Sequence, residues 1–134
     1  MTNRIANRTA AAALALALAM LLAVPAQAYT FKFKNGMAPS NGKPVKVQYT
    51  LNKVMTQDDI FVGALAPGQS DTRDHGGWES GLCVDRLKFW VEQNLPGCEK
   101  QGIARQFFYK EGLWCGDKTF VIQREGCSLK LEVK

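Results

Sequence analysis

The only histidine of the 134-residue chain, His75, stands in a run that also holds Asp71, Arg73, Asp74, Trp78 and Glu79. An imidazole beside carboxylates can take up and return a proton, and an arginine can hold an anionic intermediate. On that reading His75 is the general acid/base of a small hydrolase, with Glu79 or Asp74 as its partner. The same side chains support a second chemistry, recognition without turnover. Trp78 then supplies apolar contact area, while Arg73 and His75 orient an anionic or polar group. A serine triad does not fit, because Gly68-Gln69-Ser70-Asp71 lacks the G-x-S-x-G pattern. Asp71, Asp74, His75 and Glu79 also lack the D-x-D-x-D-G run with a distal glutamate that holds calcium. A single imidazole excludes most catalytic zinc arrangements. No metal and no cofactor is expected. The plain role of the segment 69–81 is a polar, Gly-containing loop, with Trp78 tucked onto the core.

The elements around this segment are strands. Tyr29, Phe31 and Phe33 alternate with Thr30, Lys32 and Lys34, and Val45, Val47, Tyr49 and Leu51 alternate with Lys46, Gln48, Thr50 and Asn52. Such a period of two marks a half-buried strand. Shorter runs over 60–65 and 103–110 extend the series, and 119–124 with 128–133 reads as a hairpin. The segment 82–95 fits either a strand or a helix. Its aromatic and β-branched content, and its strand neighbours, favour the strand. Phe107 and Phe108 point to opposite faces if extended, which puts one of them, or Tyr109 beside it, outside the main core. Lys32, Lys34, Lys46 and Lys53 fall on or beside the polar sides of the first two strands. If those strands pair, they form a basic face for an anionic envelope polymer or an acidic protein. Their plain role is to keep a sheet surface soluble and its edge unpaired.

Residues 1–28 read as a secretory leader. Arg4 and Arg8 precede an Ala/Leu run over 10–24, Pro25 breaks it, and Ala26-Gln27-Ala28 suits cleavage. The run falls short of the roughly 20 apolar residues of a membrane span. The paired arginines of a twin-arginine signal are missing, and no cysteine lies near Tyr29 to take a lipid. Removing 28 residues from 134 leaves a mature chain of 106, residues 29–134, with 15 basic and 12 acidic side chains. That mild, dispersed excess is not the clustered stripe of a nucleic-acid binder.

All four cysteines, Cys83, Cys98, Cys115 and Cys127, lie in the mature part, with gaps of 15, 17 and 12 residues and no C-x-x-C pair. An even count in a small exported domain reads as two disulfides. If 82–92 is extended, Cys83 and Cys98 lie at opposite ends of the molecule, far beyond the roughly 5–6 Å between bridged Cα atoms. The following strand returns Cys115 to Cys83, and the next carries Cys127 to Cys98, which predicts Cys83–Cys115 and Cys98–Cys127. A helix over 82–95 predicts Cys83–Cys98 and Cys115–Cys127 instead. On the strand path Trp114 joins the His75 loop at one end of the molecule.

The resulting expectation is an all-β domain, an antiparallel β-sandwich of about seven strands with immunoglobulin-like connectivity and two disulfide staples. It lacks the Trp–Cys arrangement of true immunoglobulin domains. The expected function is that of a soluble periplasmic or secreted binding protein without catalytic activity. Its contact residues are Arg73, His75, Trp78, Glu79 and Trp114. Its partner is a protein or an anionic envelope ligand and not a nucleic acid. The alternatives are the small hydrolase built on His75 and a structural component of the cell envelope.

Overall fold

The structure, a computed structural model, describes residues 28–52, 59–76 and 82–134. Residues 1–27 of the expected leader over 1–28, together with Lys53, Trp78 and Glu79, lie outside the described residues. Eight strands are described: β1 (Tyr29–Asn35), β2 (Val45–Leu51), β3 (Asp59–Leu65), β4 (Ser70–His75), β5 (Val84–Val91), β6 (Arg105–Trp114), β7 (Lys118–Glu125) and β8 (Ser128–Val133). They form two four-stranded sheets, ordered β4-β1-β7-β8 and β3-β2-β5-β6. The ambiguous segment 82–95 therefore holds a strand, β5, and no helix. Asp85, which breaks its alternation, sits at a shift in the β5–β6 register and is buried.

Three expectations are corrected. First, the segment 69–81, expected to be a polar loop, contains the strand β4, which makes eight strands where about seven were expected. No apolar side chain marks it. Asp71 and Arg73 are half-buried and His75 is buried, while Ser70, Thr72 and Asp74 are exposed. The period of two is present but written in polar residues. Inward charges on an edge strand also discourage pairing with another chain. Second, β1 runs parallel to β7, whereas every other pairing is antiparallel. The chain between these two strands passes through the other sheet and returns, so no tight hairpin sets their direction. Third, β1 and β2 belong to different sheets. Lys32 and Lys34 lie on one outer face and Lys46 on the other, so the combined lysine face does not form.

The core lies between the sheets. Phe31, Phe33 and Phe120 come from one side, and Val47, Tyr49, Leu87 and Phe89 from the other, all nearly inaccessible to solvent. Disulfides Cys83–Cys115 and Cys98–Cys127 close it at opposite ends, with Cα separations of 4.5 and 5.5 Å. These are the pairs that the strand path requires. Two disulfides mark the chain as extracytoplasmic, since reducing compartments rarely keep them.

One buried polar residue organises the β1 end of the core. Asn35 is inaccessible, and its amide nitrogen donates to the carbonyls of Lys43 and Leu65, each at 2.9 Å. Its side-chain oxygen accepts from the Met37 N–H at 3.1 Å. Asn35→Ala leaves two carbonyls and one N–H without this partner. The expected loss is about 2–3 kcal/mol, because stranded buried groups forfeit hydration as well as the bond. Urea unfolding with an unchanged slope checks it. Asn35→Asp, which cannot donate to the carbonyls, should cost at least as much. A midpoint indistinguishable from the parent in both variants contradicts the assignment.

Candidate functional site

Of the residues expected to act together, three are described, and each has a structural contact. Arg73 on β4 donates from Nε to Asp71 Oδ2 at 2.7 Å and from Nη2 to the Val62 carbonyl at 3.2 Å. It thereby ties an edge of one sheet to β3 of the other. His75 is 4% exposed, so it is not a loop residue facing solvent. Its Nε2 lies 2.6 Å from Tyr49 Oη, and its ring packs 5.2 Å from Phe31. Register explains this placement: His75 lies opposite Tyr29 and shares the inward side of the sheet with Phe31 and Phe33. Trp114 is half-buried and meets Phe120 edge-on at 5.1 Å and Phe108 at 6.2 Å. His75 and Trp114 do lie at the same end. The turn after Trp114 reaches β1 there, through the Thr30 N–H donated to Asp117 Oδ1 at 2.8 Å. Both rings point into the core and not toward a ligand. Among the described residues no group of three or more His, Cys, Asp or Glu could hold a metal ion.

The side chains that do stand together in solvent are on the outer face of β3-β2-β5-β6. Directly opposed residues of a sheet share a face, so the registers define three rows across it. Ala64, Lys46, Trp90 and Arg105 form the first. Phe61, Gln48, Lys88 and Phe107 form the second. Asp59, Thr50, Arg86 and Tyr109 form the third. Phe61, Phe107 and Tyr109 are 50%, 59% and 61% exposed. Aromatic and cationic side chains are interleaved. Lys88 Nζ stands 4.9 Å from the centre of the Trp90 ring, Lys46 Nζ 6.0 Å from that of Phe61, and Phe61 lies 6.2 Å from Trp90.

A bulge puts Phe61 there. The β2–β3 register shifts between Val47 and Gln48, where Gly63 adopts φ of 103°, a conformation that side-chain-bearing residues rarely take. Val62 is the extra residue and turns inward, where it is buried. Were the alternation from Ala64 to run unbroken through Val62, Phe61 would face the core, because a slip of one position exchanges the two sides of a strand.

The charges on this face are only partly balanced. Lys46 pairs with Glu92, and Arg86 lies 3.7 Å from Asp59. Lys88 and Arg105 have no carboxylate within ion-pair distance among the described residues. Between Gln48, Thr50, Asp59, Arg86, Lys88 and Phe107 lies a shallow hollow of about 180 Å³. Thr50 donates to Asp59 there at 2.7 Å. The outer face of the other sheet differs. Lys32, Lys34, Ser70, Thr72 and Asp74 are exposed on it, and among the described residues no exposed large aromatic accompanies them.

Sequence reasoning had one signal for this surface, the consecutive Phe107 and Phe108. It could not show that Phe107 and Tyr109 share a plane with Phe61 and Trp90, since that depends on strand order. Chemically the face offers cations, aromatic rings and amide or hydroxyl groups.

No family model matches the sequence, and no curated protein matches it. Two solved structures share part of the arrangement. One is the NMR structure of a protein from Eubacterium rectale, with 13% identity and a TM-score of 0.44 over 80% of this chain and 88% of that one. The other is the crystal structure of the T6SS lipoprotein TssJ1 from Pseudomonas aeruginosa, with 13% identity and a TM-score of 0.40 over 82% of this chain and 98% of that one. At TM-scores below 0.5, neither carries a function over to this chain.

Proposed function

We propose that this chain is an exported binding protein without catalytic activity, periplasmic or secreted once residues 1–28 are removed. Its partner sits on the outer face of β3-β2-β5-β6. The observation that carries this reading is the exposure of Phe61, Phe107 and Tyr109 on one sheet face, beside the unbalanced Lys88 and Arg105. Exposed apolar surface costs solvation free energy, and contiguous patches of it mark interaction sites. Aromatic rings and arginine are also the side chains that dominate binding energies. The hydrolase alternative loses support because His75 is enclosed by Tyr49 and Phe31. The structural-component alternative has no particular observation in its favour.

The test uses the mature, oxidised chain as bait against a detergent-free envelope extract of its host. The double variant Phe107→Ala/Tyr109→Ala should lower capture of the bound component about tenfold or more, equivalent to about 1.4 kcal/mol. Its stability should stay within about 0.5 kcal/mol of the parent, because both rings are mostly in solvent. Lys130→Ala, on the opposite sheet, should leave capture unchanged. Equal capture by the parent and the double variant overturns the proposal.

A further inference from the structure

We infer that the ligand of this face is an acidic polysaccharide; the inference rests on the reading of the face as the contact surface. The first reason is charge. Lys88 and Arg105 lack carboxylate partners among the described residues and occupy adjacent strands, one row apart. Neighbouring strands lie about 4.8 Å apart, and same-face residues along a strand about 6.7 Å, so these Cα atoms are roughly 8 Å from each other. A ligand with repeated negative groups answers both.

The second reason is the alternation itself. A sugar ring has an apolar C–H face and a rim of hydroxyls, and an acidic glycan adds a carboxylate to that rim. Such a polymer needs apolar planes and cations in close alternation. Trp90 lies opposite Arg105, and Phe107 opposite Lys88, so each ring has a cation across the ladder. Gln48 sits in the middle row between Phe61 and Lys88 with its amide unbonded among the described residues, available to hydroxyls. The third reason is shape. An exposed four-stranded face with a shallow hollow fits a ribbon-like polymer that lies across strands. A peptide is more simply held at a sheet edge, by backbone hydrogen bonds. The disulfides place the chain in an oxidising compartment, outside the cell's main store of nucleic acid.

The experiment is titration calorimetry of the mature oxidised chain against three probes: oligomeric alginate as a polyuronate, dextran of similar length as a neutral glycan, and an oligothymidylate as a polyanion without a pyranose chain. Alginate should bind and dextran should not. Lys88→Ala/Arg105→Ala and Phe107→Ala/Tyr109→Ala should each weaken alginate at least about tenfold. Added salt should weaken it further, since these charges are exposed. Equal binding of dextran, tighter binding of the oligothymidylate, or alginate binding that survives both double variants overturns the inference. If no glycan binds while envelope capture still depends on Phe107 and Tyr109, the polysaccharide assignment fails and the binding function stands. If capture is also indifferent to those residues, both fail.

Discussion

Replacing Cys98 and Cys127 together with serine should lower the unfolding free energy of the mature chain by about 3–4 kcal/mol on the chain-entropy account of crosslinks. The bridge closes a loop of sequence separation 29, and Cys83–Cys115 one of 32, so the two should contribute almost equally. Folded domains of this size hold only about 5–15 kcal/mol in reserve. Removing both bridges, about 7 kcal/mol in all, should therefore take away about half or more of that reserve. The folded state has another fastening beside Cys98. Arg124 donates to the carbonyls of Pro96, Asn41 and Gly126 at 2.7, 2.8 and 2.7 Å. These bonds do not compensate for the lost crosslink, because they restrain the native structure, whereas the disulfide restrains the unfolded chain. Urea unfolding of the two serine pairs, alone and combined, measures the effect. A loss below about 1 kcal/mol for either pair contradicts the account.

Phe33→Ala should be the most damaging single ring deletion, at about 3–5 kcal/mol. Phe33 is inaccessible at the middle of β1, 5.1 Å from the stacked Phe120 ring and 5.0 Å from Tyr49 of the facing sheet. Its loss opens a cavity between the two sheets that neither layer can close without leaving its own ladder. Phe33→Leu keeps most of the volume and should cost about 1–1.5 kcal/mol. Phe107→Ala removes the same ring from solvent and should cost about 0.5 kcal/mol or less. The three variants compared by urea midpoint separate a ring that holds the fold together from one that is kept for contact. Equal losses at Phe33 and Phe107 would show that the outer face is part of the stabilising core.

Much of the fold was legible before any coordinates. Alternation in 29–34 and 45–51 places Phe31, Phe33, Val47 and Tyr49 on buried sides, and all four are in the core. The same alternation, followed turn by turn, pairs the cysteines as observed. β4 was illegible because its inward positions are Asp71, Arg73 and His75. Hydrophobicity carries no period there, so the one histidine looked like a loop residue when it is a core residue bonded to Tyr49.

What the sequence determined by itself is local: which residues alternate, where turns break the strands, and which thiols an extended path can bring together. These follow from the two-residue period of a pleated chain and from its rise per residue. Only the tertiary structure decided which strands are neighbours, that β1 and β2 part company, and that one bulge sends Phe61 outward beside Trp90. Those outcomes depend on contacts between residues far apart in the chain, selected by how two sheets fill a common interior, and no window of sequence contains them.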